Sequence, residues 1–245
     1  HVMGSILGSD PNNQHVIGVA PGAKFIVANG FSEMGGYDDD LIACGEWMLA
    51  PKDANGTPHP EMAPDVINNS WGGSAGFVND FYRQVVQAWR SADIVPVFAA
   101  GNDGPGEQTV SCPGAYPEAI AVGAIDINNV LANFSSRGPG LYNDEIQKPN
   151  VCAPGVNITS SIPDESGGHI YEGGWSGTSM ATPHVTGVVA LMLSADASLT
   201  CDRVEDILIT SATPLKDANY TSVPNYGYGY GLFNAFDAVA SVASG

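Results

Sequence analysis

Apolar residues in this chain fall into two kinds of run, and their alternation lays out the fold. Short, nearly unbroken apolar stretches read as buried strands: KFIVAN (24–29), DVINNSW (65–71), IVPVFAAGN (94–102), EAIAVGAID (118–126) and PNVCAPG (149–155). Between them lie stretches of helical spacing. DDDLIACGEWMLA (38–50) opens on acids suited to the positive end of a helix dipole. FVNDFYRQVVQAWRSA (77–92) and TCDRVEDILITSA (200–212) are amphipathic, 179–194 is apolar nearly all round, and LFNAFDAVASV (232–242) is a closing helix. PKDANGTPHPEMAP (51–64) reads as a polar, proline-rich surface loop, and HIYEGGWSGTS (169–179) supplies no clear strand. Strands alternating with helices predict an α/β fold with a mainly parallel sheet. The 245 residues contain no repeat or low-complexity linker, and 1–245 is taken as a single domain.

Several strands run into glycine turns. In open parallel sheets, ligand sites collect at the carboxyl ends of strands, so SWGG (70–73) and AAGN (99–102) are candidate site walls. Charge narrows the partners: 26 Asp and Glu against 8 Lys and Arg give a net −18, which argues against nucleic acid or an anionic membrane. No apolar run reaches the roughly 20 residues needed to span a bilayer. The opening HVMGSILG has no basic leader-type region, and a mature secreted chain would look the same. Four cysteines lack any spacing suggestive of zinc and read as structural thiols or one disulfide. Cys112 and Cys152, each beside a candidate site loop, would allow such a bridge.

The candidate chemistry centres on GTSMATPHVTGVVALM (177–192), where turn residues give way to an apolar helix. Ser179 there has two readings. It is an N-cap, satisfying orphan backbone N–H groups, or a nucleophile near the positive end of a buried helix. Small neighbours that let another chain approach (Gly177, Ala181, Pro183) favour the second. Ala181 stands where the G-x-S-x-G nucleophile elbow requires glycine, which disfavours an ordinary lipase or esterase. Asn102 in FAAGNDGPG is either a turn residue or an amide aimed at a developing oxyanion.

GTSMATPHVTG, AAGNDG, INNSWGG, GVAPGA, CAPG and the closing GYGLFNAFDAV occur in the order and spacing of the subtilisin-like serine proteases. The chain resembles that family over nearly its whole length, and GAKFIVANGFSEMGGYDDDLIACGEW is most similar to its bacillopeptidase F branch. The resemblance implies a three-layer α/β fold and a peptide-cleaving serine endopeptidase, secreted or at the cell surface. It makes Ser179 the nucleophile and Asn102 the oxyanion donor. Ser70, Trp71, Gly72 and Gly73 become a wall of the primary specificity pocket, with Asp103 near its base. Gly35 and Gly36 lie on the edge that pairs with an extended substrate. The implied partners are a protein or peptide substrate and an amino-terminal segment or propeptide, without nucleic acid or membrane.

The activating base is the gap. The family's histidine motif is H-G-T-H-V-x-G, its first histidine catalytic, and HVMG places His1 on the second. The resemblance therefore puts the catalytic histidine and the aspartate motif before residue 1. It makes 1–245 the carboxy-terminal portion of a catalytic domain lacking its amino-terminal strands, with an open sheet edge and little activity alone. His15, His59, His169 and His184 read as surface or structural histidines; His1 is a stray candidate. No cofactor is required by this chemistry; structural calcium is an expectation for SDPNNQH (9–15), where many members of the family bind it. The competing reading is a catalytically dead module of the same fold that binds peptides or scaffolds a partner.

Overall fold

The computed structural model describes residues 1–9, 17–142, 146–164 and 169–243. Its elements run α1 (Val2–Leu7), α2 (Asp38–Leu49), β1 (Val66–Asn69), α3 (Arg83–Ser91), β2 (Val95–Ala99), β3 (Ile120–Ile125), β4 (Val151–Pro154), β5 (Ile158–Pro163), β6 (His169–Trp175), α4 (Thr178–Ala195), α5 (Cys201–Thr210) and α6 (Ala235–Ala243). β1 to β4 form a parallel sheet in that order, and β5 and β6 form a separate antiparallel pair. This is the α/β architecture with a mainly parallel sheet that the strand–helix alternation predicts.

Strands β2 and β3 are buried on both faces, as parallel strands covered by helices must be. Their side chains sort by the two-residue period. Val95, Val97, Ile120, Val122 and Ala124 point toward α4, α5 and α6, where Val185, Val188, Met192, Val204 and Leu208 complete one core. Ile94, Phe98, Ala119 and Ala121 point the other way, to Val86 and Trp89 of α3 and Leu41 of α2. Three layers result, and α4 lies across all four strands. The near-uniform apolarity of α4 follows from that position, with Met180, Ala181, Val185, Val188, Val189 and Met192 all buried. α5 starts where expected because the Thr200 hydroxyl caps it, accepting from Arg203 N–H at 3.2 Å.

Four expectations need correction. KFIVAN (24–29) is not a strand, and Phe25 and Val27 are 64% and 60% exposed. Among the described residues β1 pairs only with β2, so its outer edge has no ladder partner. A cavity of about 420 Å³ lies beside it, lined in part by Ala28, Phe31, Leu41, Cys44 and Ile67. The amphipathic helix expected from 77 begins at Arg83: Asn79 and Asp80 spend their oxygens on a turn, accepting from Phe81 N–H and Arg83 N–H. The stretch before Ser179 does contain a strand, β6, held by pairing with β5. All four cysteines are free thiols, so the Cys112–Cys152 bridge is not formed; Cys112 Sγ instead faces the Phe77 carbonyl at 3.6 Å. The calcium expectation falls on a loop outside the described residues apart from Ser9.

Candidate active site

Ser179 is the second residue of α4, half-buried, at the carboxyl end of the parallel sheet. Two close approaches bring it there. Gly155, just past β4, donates its N–H to Ile125 O at 2.9 Å and accepts from Gly177 N–H at 2.8 Å. A Cβ on Gly155 would lie 2.7 Å from Ala124 Cβ and 2.8 Å from the Gly177 carbonyl, so glycine is required for the sheet to meet the helix start. Gly101, with φ of +110°, turns the chain after β2 and presents Asn102.

Thr178 then joins the two candidate catalytic residues. Its backbone N–H and its hydroxyl both donate to Asn102 Oδ1, at 2.9 and 3.0 Å, and the same hydroxyl accepts from Gly101 N–H at 3.2 Å. An N–H donor fixes which end of the amide is oxygen. Asn102 is thereby held by its oxygen, leaving the Nδ2 group unengaged among the described residues. Ser179 N–H is likewise without an acceptor there, as expected for a donor in the first turn of a helix. Two free donors thus flank the serine.

Ser179 and Asn102 share a cavity of about 170 Å³. Trp71, Gly72, Gly73 and Asp103 line it with them; so do Thr178, which lies within the serine motif but is not singled out by it, and Ser111, which no motif marks. Ser70 touches Ser179 directly: the Ser179 hydroxyl donates to Ser70 O at 3.0 Å, and the Ser70 hydroxyl donates to Ser179 O at 2.8 Å. Trp71 is anchored by its indole N–H to Asn69 Oδ1 at 3.2 Å and meets Tyr82 and Phe98 edge-on. Gly35 and Gly36 do not line this cavity; Gly35 exchanges backbone hydrogen bonds with Ser32 at 3.0 and 3.1 Å in a tight turn.

No described histidine is hydrogen-bonded to Ser179. The His1 ring stacks on Trp175 at 4.5 Å, with Nε2 at 3.2 Å from Ile158 O and Nδ1 buried without a partner. His184, on α4, donates from Nδ1 to Met180 O at 2.9 Å, and burial holds it below the usual imidazole range. His59 lies in the 51–64 loop, where a hydrogen bond to Glu61 raises its affinity for a proton. His15 lies outside the described residues. Among the described residues no group of three or more His, Cys, Asp or Glu is placed to hold a metal ion, and no helix is long and apolar enough to cross a membrane.

Residues 1–231 match the model of the subtilase family. The chain is 56% identical over 251 aligned positions to "Bacillopeptidase F" of Bacillus subtilis (strain 168), covering 100% of this chain and 17% of that protein. It is 35% identical to "Serine protease AprX" of the same organism, covering 98% of this chain and 57% of that protein. "Subtilisin E", also from that organism, is 38% identical, with 96% of this chain and 53% of that protein covered. The chain therefore spans about half the length, or less, of these relatives.

Proposed function

The chain belongs to the subtilase family, and from that premise we propose that it carries the acyl-transfer half of a serine endopeptidase site. Ser179 Oγ attacks the carbonyl carbon of a peptide bond, and the amine side leaves to give an acyl-enzyme that water then hydrolyses. The oxygen that becomes negative is received by Asn102 Nδ2 and Ser179 N–H. The observation that carries this reading is the double donation from Thr178 to Asn102 Oδ1, which occupies the amide oxygen and leaves the amide N–H₂ free on a residue that lines the serine's cavity. Preorganised donors of this kind need no rearrangement as charge develops.

The proton on Ser179 Oγ must go to a base. In this structure the hydroxyl donates it in a hydrogen bond to Ser70 O at 3.0 Å, and a carbonyl is no base for it; the base that takes the proton returns it to the leaving amine. The base is assigned to a group outside the described residues. The 170 Å³ cavity takes the side chain on the acyl side of the cleaved bond, against Trp71, Gly72 and Gly73. Asp103 in its lining, with no cation beside it there, disfavours acidic side chains. Gly35 and Gly36 are assigned, on the family likeness, to strand pairing with the substrate. The chemistry calls for no cofactor, and the substrates are protein or peptide chains met outside the cell.

Fluorophosphonate labelling of the natural protein carrying this chain, read by peptide mass spectrometry, tests the reading. Modification of Ser179 that is lost in Ser179→Ala supports it. Labelling of residues 1–245 alone in the same assay tells whether the base lies within them. A second reading, a catalytically silent peptide-binding or scaffold module, is favoured by the serine hydroxyl resting on Ser70 O, with no histidine side chain among the described ones hydrogen-bonded to it. A folded natural protein that resists the probe puts that reading first.

A further inference from the structure

Helix α4 contains a proline, Pro183, four residues after the serine. In an α-helix the carbonyl of residue i accepts from the N–H of residue i+4. Pro183 has no N–H, and its ring crowds that same carbonyl. The Ser179 carbonyl is therefore denied its helical partner at the turn that must hold the nucleophile still. A buried carbonyl left without a donor is costly and moves to find one.

The donor present is the hydroxyl of Ser70, at 2.8 Å, reaching across from the end of β1. That hydroxyl is itself aimed: Asn68 Nδ2 donates to Ser70 Oγ at 3.0 Å, and Thr186 Oγ1 donates to Asn68 Oδ1 at 3.0 Å. Thr186 is 3% exposed and sits two turns along α4 from Ser179. The relay Thr186–Asn68–Ser70 leaves α4, crosses β1 and returns to α4 at the serine. It spans the residues that Pro183 weakens.

We infer that the Ser70 hydroxyl is a positioning residue for Ser179, supplying the hydrogen bond that Pro183 withholds and so fixing the first turn of α4 against β1. This rests on the reading of Ser179 as nucleophile. It differs from the wall role of SWGG, which uses backbone and needs no hydroxyl at residue 70. Asn68 acts one step further back, by orienting Ser70.

A double-mutant cycle tests it, because Pro183→Ala restores an N–H at residue 183 and makes the Ser70 hydroxyl redundant. Ser70→Ala, Ser70→Thr, Pro183→Ala and Ser70→Ala/Pro183→Ala are compared by urea midpoint and by the rate of fluorophosphonate labelling of Ser179. Ser70→Ala slows labelling about tenfold in the parent, a loss of one hydrogen bond's order, and lowers the midpoint. Ser70→Thr restores both. In the Pro183→Ala background, Ser70→Ala slows labelling less than about twofold and leaves the midpoint in place. Equal losses in the two backgrounds overturn the inference. If the parent protein does not label, the nucleophile reading falls, and the urea cycle alone decides. A midpoint loss that vanishes with Pro183→Ala sustains the hydrogen bond, and one that persists refutes it.

Discussion

Lys148 is fully buried, and the pH dependence of stability should report it directly. Its ammonium donates to the Ala119 carbonyl and to Asn150 Oδ1 at 3.1 Å. Asn150 Nδ2 in turn donates to Glu205 Oε1 at 2.9 Å, and Arg90 donates to Glu205 Oε2 at 2.9 Å. Burial lowers the lysine's pKa from its ordinary 10.5 to about 8; Glu205 and Glu118 oppose that shift, and Arg90 adds to it. Between those two values the unfolded chain holds a proton that the folded chain has released. Stability contributed by this group therefore rises with pH across that window and is constant below about 8. At about 1.4 kcal/mol per unit, the full rise is on the order of 3 kcal/mol. Urea unfolding of the parent and of Lys148→Met at half-unit steps from pH 7 to 10.5 isolates it, since other titrations cancel in the difference. The parent should gain on the variant steadily above pH 8. A flat or falling difference would mean that Lys148 keeps its proton in the fold, and the burial argument would be wrong.

Three further outcomes follow from the site. Thr178→Val keeps the shape but removes the hydroxyl that donates to Asn102 Oδ1 and accepts from Gly101 N–H; Ser179 labelling should slow about tenfold, and the urea midpoint should fall because the Gly101 N–H loses its acceptor. Gly155→Val drives a side chain into Ala124 and the Gly177 carbonyl; calorimetry should show a loss of about 1–3 kcal/mol or more. Asp103→Asn removes the carboxylate of a residue that lines the cavity. Relative turnover of peptides with an acidic residue before the cleaved bond should rise, and more so at low salt, as a charge effect requires.

β2, β3 and β4 were legible because each is a short, buried apolar run, and β2 and β4 lead into glycine turns. KFIVAN has the same composition but no ladder partner among the described residues, and strand character depends on pairing that a local run cannot display. β6 shows the converse. Its Gly173 and Gly174 hide it from any propensity argument, and β5 makes it a strand regardless. Ser179, Asn102 and the SWGG turn were marked by motif. Thr178 lay within the serine motif without being singled out, because its bonds to Asn102 and Gly101 appear only in the fold, and Ser111 had no motif at all. Asn68 and Thr186 look like ordinary polar residues on a strand and a helix until their amide and hydroxyl are found end to end.

Helix α4 touches every strand of the parallel sheet, and those strands come from segments between about 30 and 110 residues upstream of it. Contacts so distant in sequence form late and slowly, since long loops must close before they stabilise anything. Ser179 can therefore meet Asn102 only when β1 through β4 have already been assembled beneath the helix. A nascent or partly opened chain holds the serine without Asn102 beside it. Reactivity at this serine and completion of the fold are, on this topology, a single cooperative event.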